Sequence, residues 1–188
     1  MRLFVAVNLP ADVRRAAWAG AAPLREARLP FTWVPPENVH LTIKFLGEVD
    51  DARAEQVGAA LSTAVAGVRA FTLGVGGYGA FPDSRRPRVV WCGVELHPAL
   101  ELLANDVEHA LQPLGFSSEL KPFRPHLTLG RARKAERGGR STAPLAPLLR
   151  GLAYDGAFTV QGVDLMRSVP GPGASTYSVR HAAPFGGD

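Results

Sequence analysis

Two short phrases in this 188-residue chain have the composition of a catalytic pair: His-Leu-Thr-Ile at 40–43 and His-Leu-Thr-Leu at 126–129. They lie 86 residues apart, close to half the chain. Five histidines and eight threonines in a chain of this length give only about 0.2 His-x-Thr triplets by chance, and both copies also share the central Leu and an aliphatic fourth residue. Each copy sits in an apolar run that reads as a strand, VHLTIKFLG at 39–47 and the segment 125–131. Successive side chains of a strand point to opposite faces. Strict alternation turns Leu41, Ile43 and Phe45 toward a core and His40, Thr42 and Lys44 the other way. It likewise turns Leu127 and Leu129 inward and His126 and Thr128 outward. Each strand then presents an imidazole beside a hydroxyl, and a pseudo-twofold between the halves would gather both pairs in one groove.

That set fits phosphodiester hydrolysis without a metal. The reaction needs a base to deprotonate water and an acid to protonate the leaving oxygen, and imidazole can be either near neutral pH. Negative charge builds on the non-bridging oxygens, where threonine hydroxyls and a fixed cation can donate hydrogen bonds. A strained cyclic phosphate makes the fewest demands on such a site. The motifs are alike, so residue type alone does not say which histidine is acid and which base. His97, before Pro98, reads as a helix cap, His109 as a solvated helix residue, and His181 has no motif around it. A zinc site would need a third ligand at suitable spacing, and no spacing supplies one. No metal or other cofactor is expected.

The elements that must position these residues follow from apolar periodicity. Residues 2–8 read as a strand, and Pro10 opens a helix reaching about residue 27. A short strand at 31–34 ends at Pro35-Pro36, and the first motif strand follows. Asp50 or Asp51 caps a helix running to Gly67. Segments 69–77 and 87–95 read as strands around the loop YGAFPDSRRP. A helix at 98–114 stops at Gly115, and the second motif strand comes next. The basic stretch RARKAERGGR reads as solvent-exposed, Pro144–Leu149 as a short helix, and 156–169 and 175–181 as the last two strands. Two strands separate most helices, which excludes a doubly wound parallel sheet and favours an α+β fold of antiparallel sheets. No linker divides the chain, so residues 1–188 read as one domain.

Composition bounds the rest. Hydrophobic residues make up 46% and charged residues 20%, which excludes a disordered chain. The lone cysteine, Cys92, excludes an internal disulfide. There is no apolar run of membrane-spanning length and no signal-peptide pattern at the start, so a cytoplasmic protein without membrane attachment is expected. A net charge of +4 leans toward anionic partners, although 18 of the 21 basic residues are arginine, which a GC-rich genome would also produce.

On these residues the chain resembles the 2H phosphoesterase superfamily, and within it the RNA 2′,3′-cyclic phosphodiesterases, also called 2′-5′ RNA ligases. The segments RLFVAVNLP, WVPPENVHLTIKFLGEV, RVVWCGV, FRPHLTLGRAR and VDLMRSVPGPGASTYSV match family blocks in order along nearly the whole chain. The resemblance implies a bilobal, pseudo-twofold α+β fold, with two antiparallel sheets around a central cleft and helices on the outer faces. It implies hydrolysis of RNA 2′,3′-cyclic phosphate ends to 2′-phosphomonoesters by a monomer. His40 would be the general acid and His126 the general base, with Thr42, Thr128 and Arg131 binding the phosphate. Alternation would turn Arg131 to the core side, so this role requires the strand to end or bulge at Gly130. From chemistry alone, Lys44 and Arg124 are candidates for RNA contact, as are the arginines at 133, 137 and 140. Phe4, Trp33, Tyr78 and Phe81 could stack on a base, but such residues more often pack in a core or loop. Two alternatives remain: 2′-5′ ligation by the same site, or an RNA-binding module without turnover.

Overall fold

A computed structural model describes residues 1–133, 145–172 and 174–187. The chain runs β1 (Arg2–Asn8), α1 (Ala11–Gly20), α2 (Ala22–Glu26), β2 (Phe31–Trp33), β3 (His40–Glu48), α3 (Asp51–Val65), β4 (Phe71–Phe81) and β5 (Val89–Val94). It continues with α4 (Pro98–Leu111), β6 (His126–Ala132), α5 (Leu145–Arg150), β7 (Asp155–Val160), β8 (Gly162–Val169) and β9 (Thr176–Pro184). These strands form one sheet in the order β7-β4-β5-β6-β3-β1-β8-β9, with β2 on the other part of β6, and every pair of named strands is antiparallel. The two expected sheets are the two halves of this sheet. They meet where β3 pairs β6, at Leu41↔Leu127.

Local chemistry sets the helix ends. The Asp50 carboxylate accepts the Arg53 backbone N–H at 2.8 Å and caps α3. His97 caps α4, its Nδ1 accepting from the Ala99 N–H at 3.1 Å. After α4 a 3₁₀ turn runs to Leu114, and Gly115 at φ +80° takes the left-handed conformation that ends it. The helix expected to reach residue 27 is two helices that break at Ala21. Pro23 lies in the first turn of α2, where its missing N–H costs nothing.

The run 156–169 is likewise two strands. β7 pairs β4 in one half, while β8 pairs β1 and β9 in the other. The buried positions change phase at the crossing, from Phe158 and Val160 to Val163 and Leu165. One continuous strand cannot bury both sets on one face.

Every α-helix among the described residues puts buried side chains into one core cluster. α3 and α4 pack together over β3, β8 and β9, α1 lies against β7 and α5 against β4, and α2 packs on α1 and α5. Leu41, Leu127 and Leu129 join Leu61, Leu100 and Leu103 of the helices in one buried core. The other side carries a smaller apolar cluster of Phe4, Ala6 and Met166, packed by Tyr177. Among the described residues no helix is long and apolar enough to cross a membrane.

Candidate active site

The two motifs lie side by side at the centre of the sheet, not facing across a groove from separate sheets. The pair Leu41↔Leu127 fixes an antiparallel register that sets His40 opposite Thr128 and Thr42 opposite His126. The core leucines thus anchor both strands, and each imidazole stands beside the hydroxyl of the other motif.

Both rings are held in the same way. His40 Nδ1 lies 2.8 Å from the Asn38 carbonyl oxygen, and His126 Nδ1 lies 2.7 Å from that of Arg124. A carbonyl only accepts, so each Nδ1 carries a proton and donates it. Nε2 is left as the nitrogen that binds or releases a proton toward the site. Aromatic rings fix the imidazole planes. Phe4 packs tilted on His40 at 4.8 Å between centroids, and Tyr177 meets it edge-on at 5.2 Å. Phe81 meets His126 edge-on at 5.0 Å. Burial pushes the His40 imidazole down to about 4, and the positive charges of Arg131 and His126 press the same way against the supporting Asn38 bond. His126 is also held below the usual histidine range, first by burial and then by Arg131.

A matched irregularity decides what else reaches the site. β1 pairs Ala6 with Thr42 and Val5 with Lys44, leaving Ile43 outside the register. β5 pairs Trp91 with Thr128 and Val90 with Gly130, leaving Leu129 outside it. Each motif strand therefore bulges at the residue after its threonine, and the next two side chains, Lys44 and Phe45 in β3 and Gly130 and Arg131 in β6, change face. Arg131 turns to the site, by a bulge one residue earlier than expected. Gly130 turns to the helix side, where a Cβ would come within 2.7 Å of Trp33 Cε3.

The same bulge overturns two expectations at the first motif. Lys44 does not face the groove. It is 3% exposed on the helix side, where Nζ donates to both carboxylate oxygens of Glu108 at 2.8 Å and to the Ser117 carbonyl at 2.8 Å. It is therefore a buried ion pair, and with Glu108 it lines the inner wall of the cavity on the His126 side. Phe45, expected in the core, is 57% exposed on the site face, 6.1 Å from the Phe4 ring. It is the first-motif counterpart of Arg131, each lying five residues after its histidine.

Two cavities flank the motif strands. One of about 460 Å³ opens on the His40 side, lined by His40, Phe45, Arg131, Ser168, Ser175 and Tyr177 among others. One of about 350 Å³ opens on the His126 side, between Thr42, Phe45 and His126, the buried pair Lys44 and Glu108, and the rim residues Lys121 and Arg124. Arg124 thus contributes twice, its carbonyl orienting His126 and its exposed side chain standing at the rim. Phe4 is buried against His40, and the Tyr78 hydroxyl donates to the Ala17 carbonyl at 2.8 Å. Trp33 packs over Gly130 and Phe31, so none of these three offers a free ring face at the motifs. Arg137 and Arg140 lie outside the described residues. Among the described residues no three His, Cys, Asp or Glu side chains form a set that could hold a metal ion.

An antiparallel sheet that brings two His-x-Thr strands together, with both imidazoles presenting Nε2 to one face, defines a duplicated two-histidine fold. The chain belongs to the LigT-like phosphoesterase family, whose model matches residues 7–91 and 94–175. It is 38% identical over 133 residues to an RNA 2′,3′-cyclic phosphodiesterase of Thermotoga maritima, a match covering 71% of each chain. A solved structure from Thermus thermophilus superimposes with TM-score 0.84 at 29% identity and full coverage of both chains. E. coli LigT complexed with 3′-AMP superimposes with TM-score 0.74 at 25% identity, covering 98% of this chain and 97% of that one.

Proposed function

We propose that this chain is an RNA 2′,3′-cyclic phosphodiesterase that opens the cyclic phosphate to a 2′-phosphomonoester with His40 as general acid and His126 as general base. The observation that carries the reading is the matched pair of imidazoles, each with Nδ1 tied to a carbonyl two residues back. Water enters on the His126 side and loses its proton to Nε2. The 3′ oxygen leaves on the His40 side and takes a proton from Nε2. Arg131, whose charge acts on both imidazoles, faces the phosphate together with the Thr42 and Thr128 hydroxyls. Phe45 offers an exposed ring to the terminal base. The continuous sheet supports one domain, which we take to act as a monomer, and the single buried cysteine suits a cytoplasmic enzyme.

The direct test is a short RNA ending in a 2′,3′-cyclic phosphate, incubated with EDTA and read by phosphorus NMR. The expected product is the 2′-phosphate alone. A 3′-phosphate product, or loss of turnover with the chelator, overturns the mechanism. Well-folded protein without turnover would leave an RNA-binding module.

A pH prediction follows from the same geometry. Both imidazoles sit below their ordinary 6.5, His40 near 4. The singly protonated pair that an acid–base reaction needs is therefore most populated on the acidic side of neutrality. A bound phosphate adds negative charge, which favours the protonated imidazole and moves its titration upward. The ratio kcat/KM should fall about tenfold per pH unit above roughly 6.5, while kcat holds to higher pH. A kcat/KM that rises steadily from pH 6 to 9 would contradict this.

A further inference from the structure

The cavity on the His40 side adjoins a second one of about 440 Å³. Arg131, Ser175 and Tyr177 line both. The second cavity adds Thr32, Asn38 and Arg133. Its walls are held from two directions. Thr32 pairs with Arg131 across β2 and β6, so both side chains share a face, and the Arg133 backbone N–H donates to the Pro30 carbonyl at 3.1 Å. Asn38 Nδ2 donates to the Ser175 carbonyl at 2.8 Å, fastening the segment before β9 to the loop that orients His40.

The reaction fixes which way an RNA must run. With the leaving oxygen at His40, the terminal ribose occupies the His40 side, and the His126 side stays open for water. On this assignment a base stacked on Phe45 sends the ribose O5′ and the preceding phosphate away from that ring, toward the other residues that line the cavity. Among these, Arg131, Ser175 and Tyr177 are shared with the second cavity. We infer that the second cavity seats the phosphodiester joining the terminal nucleotide to its 5′ neighbour, with Arg133 as its cation and Thr32 as a hydroxyl donor. The preferred substrate is then an RNA end, not a free cyclic nucleotide. The inference rests on the proposed function and its assignment of His40 to the leaving oxygen.

Three substrates test it: adenosine 2′,3′-cyclic phosphate, the same molecule with a 5′-phosphate, and a dinucleotide ending in adenosine 2′,3′-cyclic phosphate. A charge-assisted contact to one phosphate should lower KM about tenfold for the second and third relative to the first. In R133Q the ratio should collapse to near one, and R133K should keep part of it. The slope of log KM against log salt for the dinucleotide should flatten by about 0.7 in R133Q. Equal KM for the three substrates overturns the inference and leaves the proposed function standing. So does a ratio that survives both R133Q and T32V but is lost in K121Q or R124Q, since that would send the chain through the His126 side. Failure of the wild type to turn over any of the three overturns both.

Discussion

Alanine at His40 or at His126 should each lower single-turnover hydrolysis of a cyclic-phosphate RNA by about 10²- to 10⁴-fold, the usual size of a lost general acid or base. The double variant should be little slower than the worse single one, because the two imidazoles act in one displacement and their losses do not add. The fold should persist. Neither ring belongs to the helix-side core, and Asn38 and Arg124, whose carbonyls hold the rings, both line cavities that water can enter. Stability gives an independent readout of the His40 environment. Its folded titration near 4 lies below the ordinary 6.5, so the unfolded chain binds more protons between these values. The contribution of the neutral, buried ring is fully present above pH 6.5 and is lost as pH falls toward 4. His40→Ala should therefore narrow the difference in thermal stability between pH 7 and pH 4.5 while abolishing turnover. Activity within threefold of wild type in either single variant would remove that histidine from the chemistry.

Much of this site could be read before any coordinates, because the signal was duplicated. His-x-Thr on a strand specifies outward imidazoles wherever the leucine between them is buried, and Leu41 and Leu127 are both fully buried. Strand alternation fails one residue later, at the bulges. Reading the two motifs as one repeat would have resolved that failure. Arg131 requires a bulge to reach the phosphate, and a pseudo-equivalent strand must then bulge at the equivalent place. The same step would have exposed Phe45 and buried Lys44. Other parts of the site had no local signal. The carbonyls that orient the imidazoles belong to Asn38 and Arg124, and any residue supplies a carbonyl. Tyr177 reaches His40 only because β9 joins the sheet beside β8, a pairing between segments distant in sequence from the first motif. The crossing at Gln161 did have a signal, the change of apolar phase from even to odd positions.

Lys44→Met should cost about 3 kcal/mol of stability and leave turnover per folded molecule within twofold of wild type. The ammonium is 3% exposed with three acceptors at 2.8 Å, so its desolvation is balanced only while those partners remain. Removing it strands the Glu108 carboxylate, whose side chain is 19% exposed, against the face of α4 that packs on the sheet. An uncompensated buried charge is the costly state, whereas a matched apolar pair of similar volume is often neutral. K44M/E108M should accordingly recover most of the loss in a urea melt, and E108Q alone should fall between. The double variant also keeps the prediction testable if K44M is too unstable to purify. At the equivalent position of the second motif stands Gly130, packed under Trp33, so the bulge turns both residues off the face that carries the histidines. A K44M protein of wild-type stability with a raised KM for RNA would mean that the ammonium leaves Glu108 and meets the substrate. Lost stability with an unchanged KM, restored in the double variant, would fix Lys44 as a core residue whose partner is Glu108.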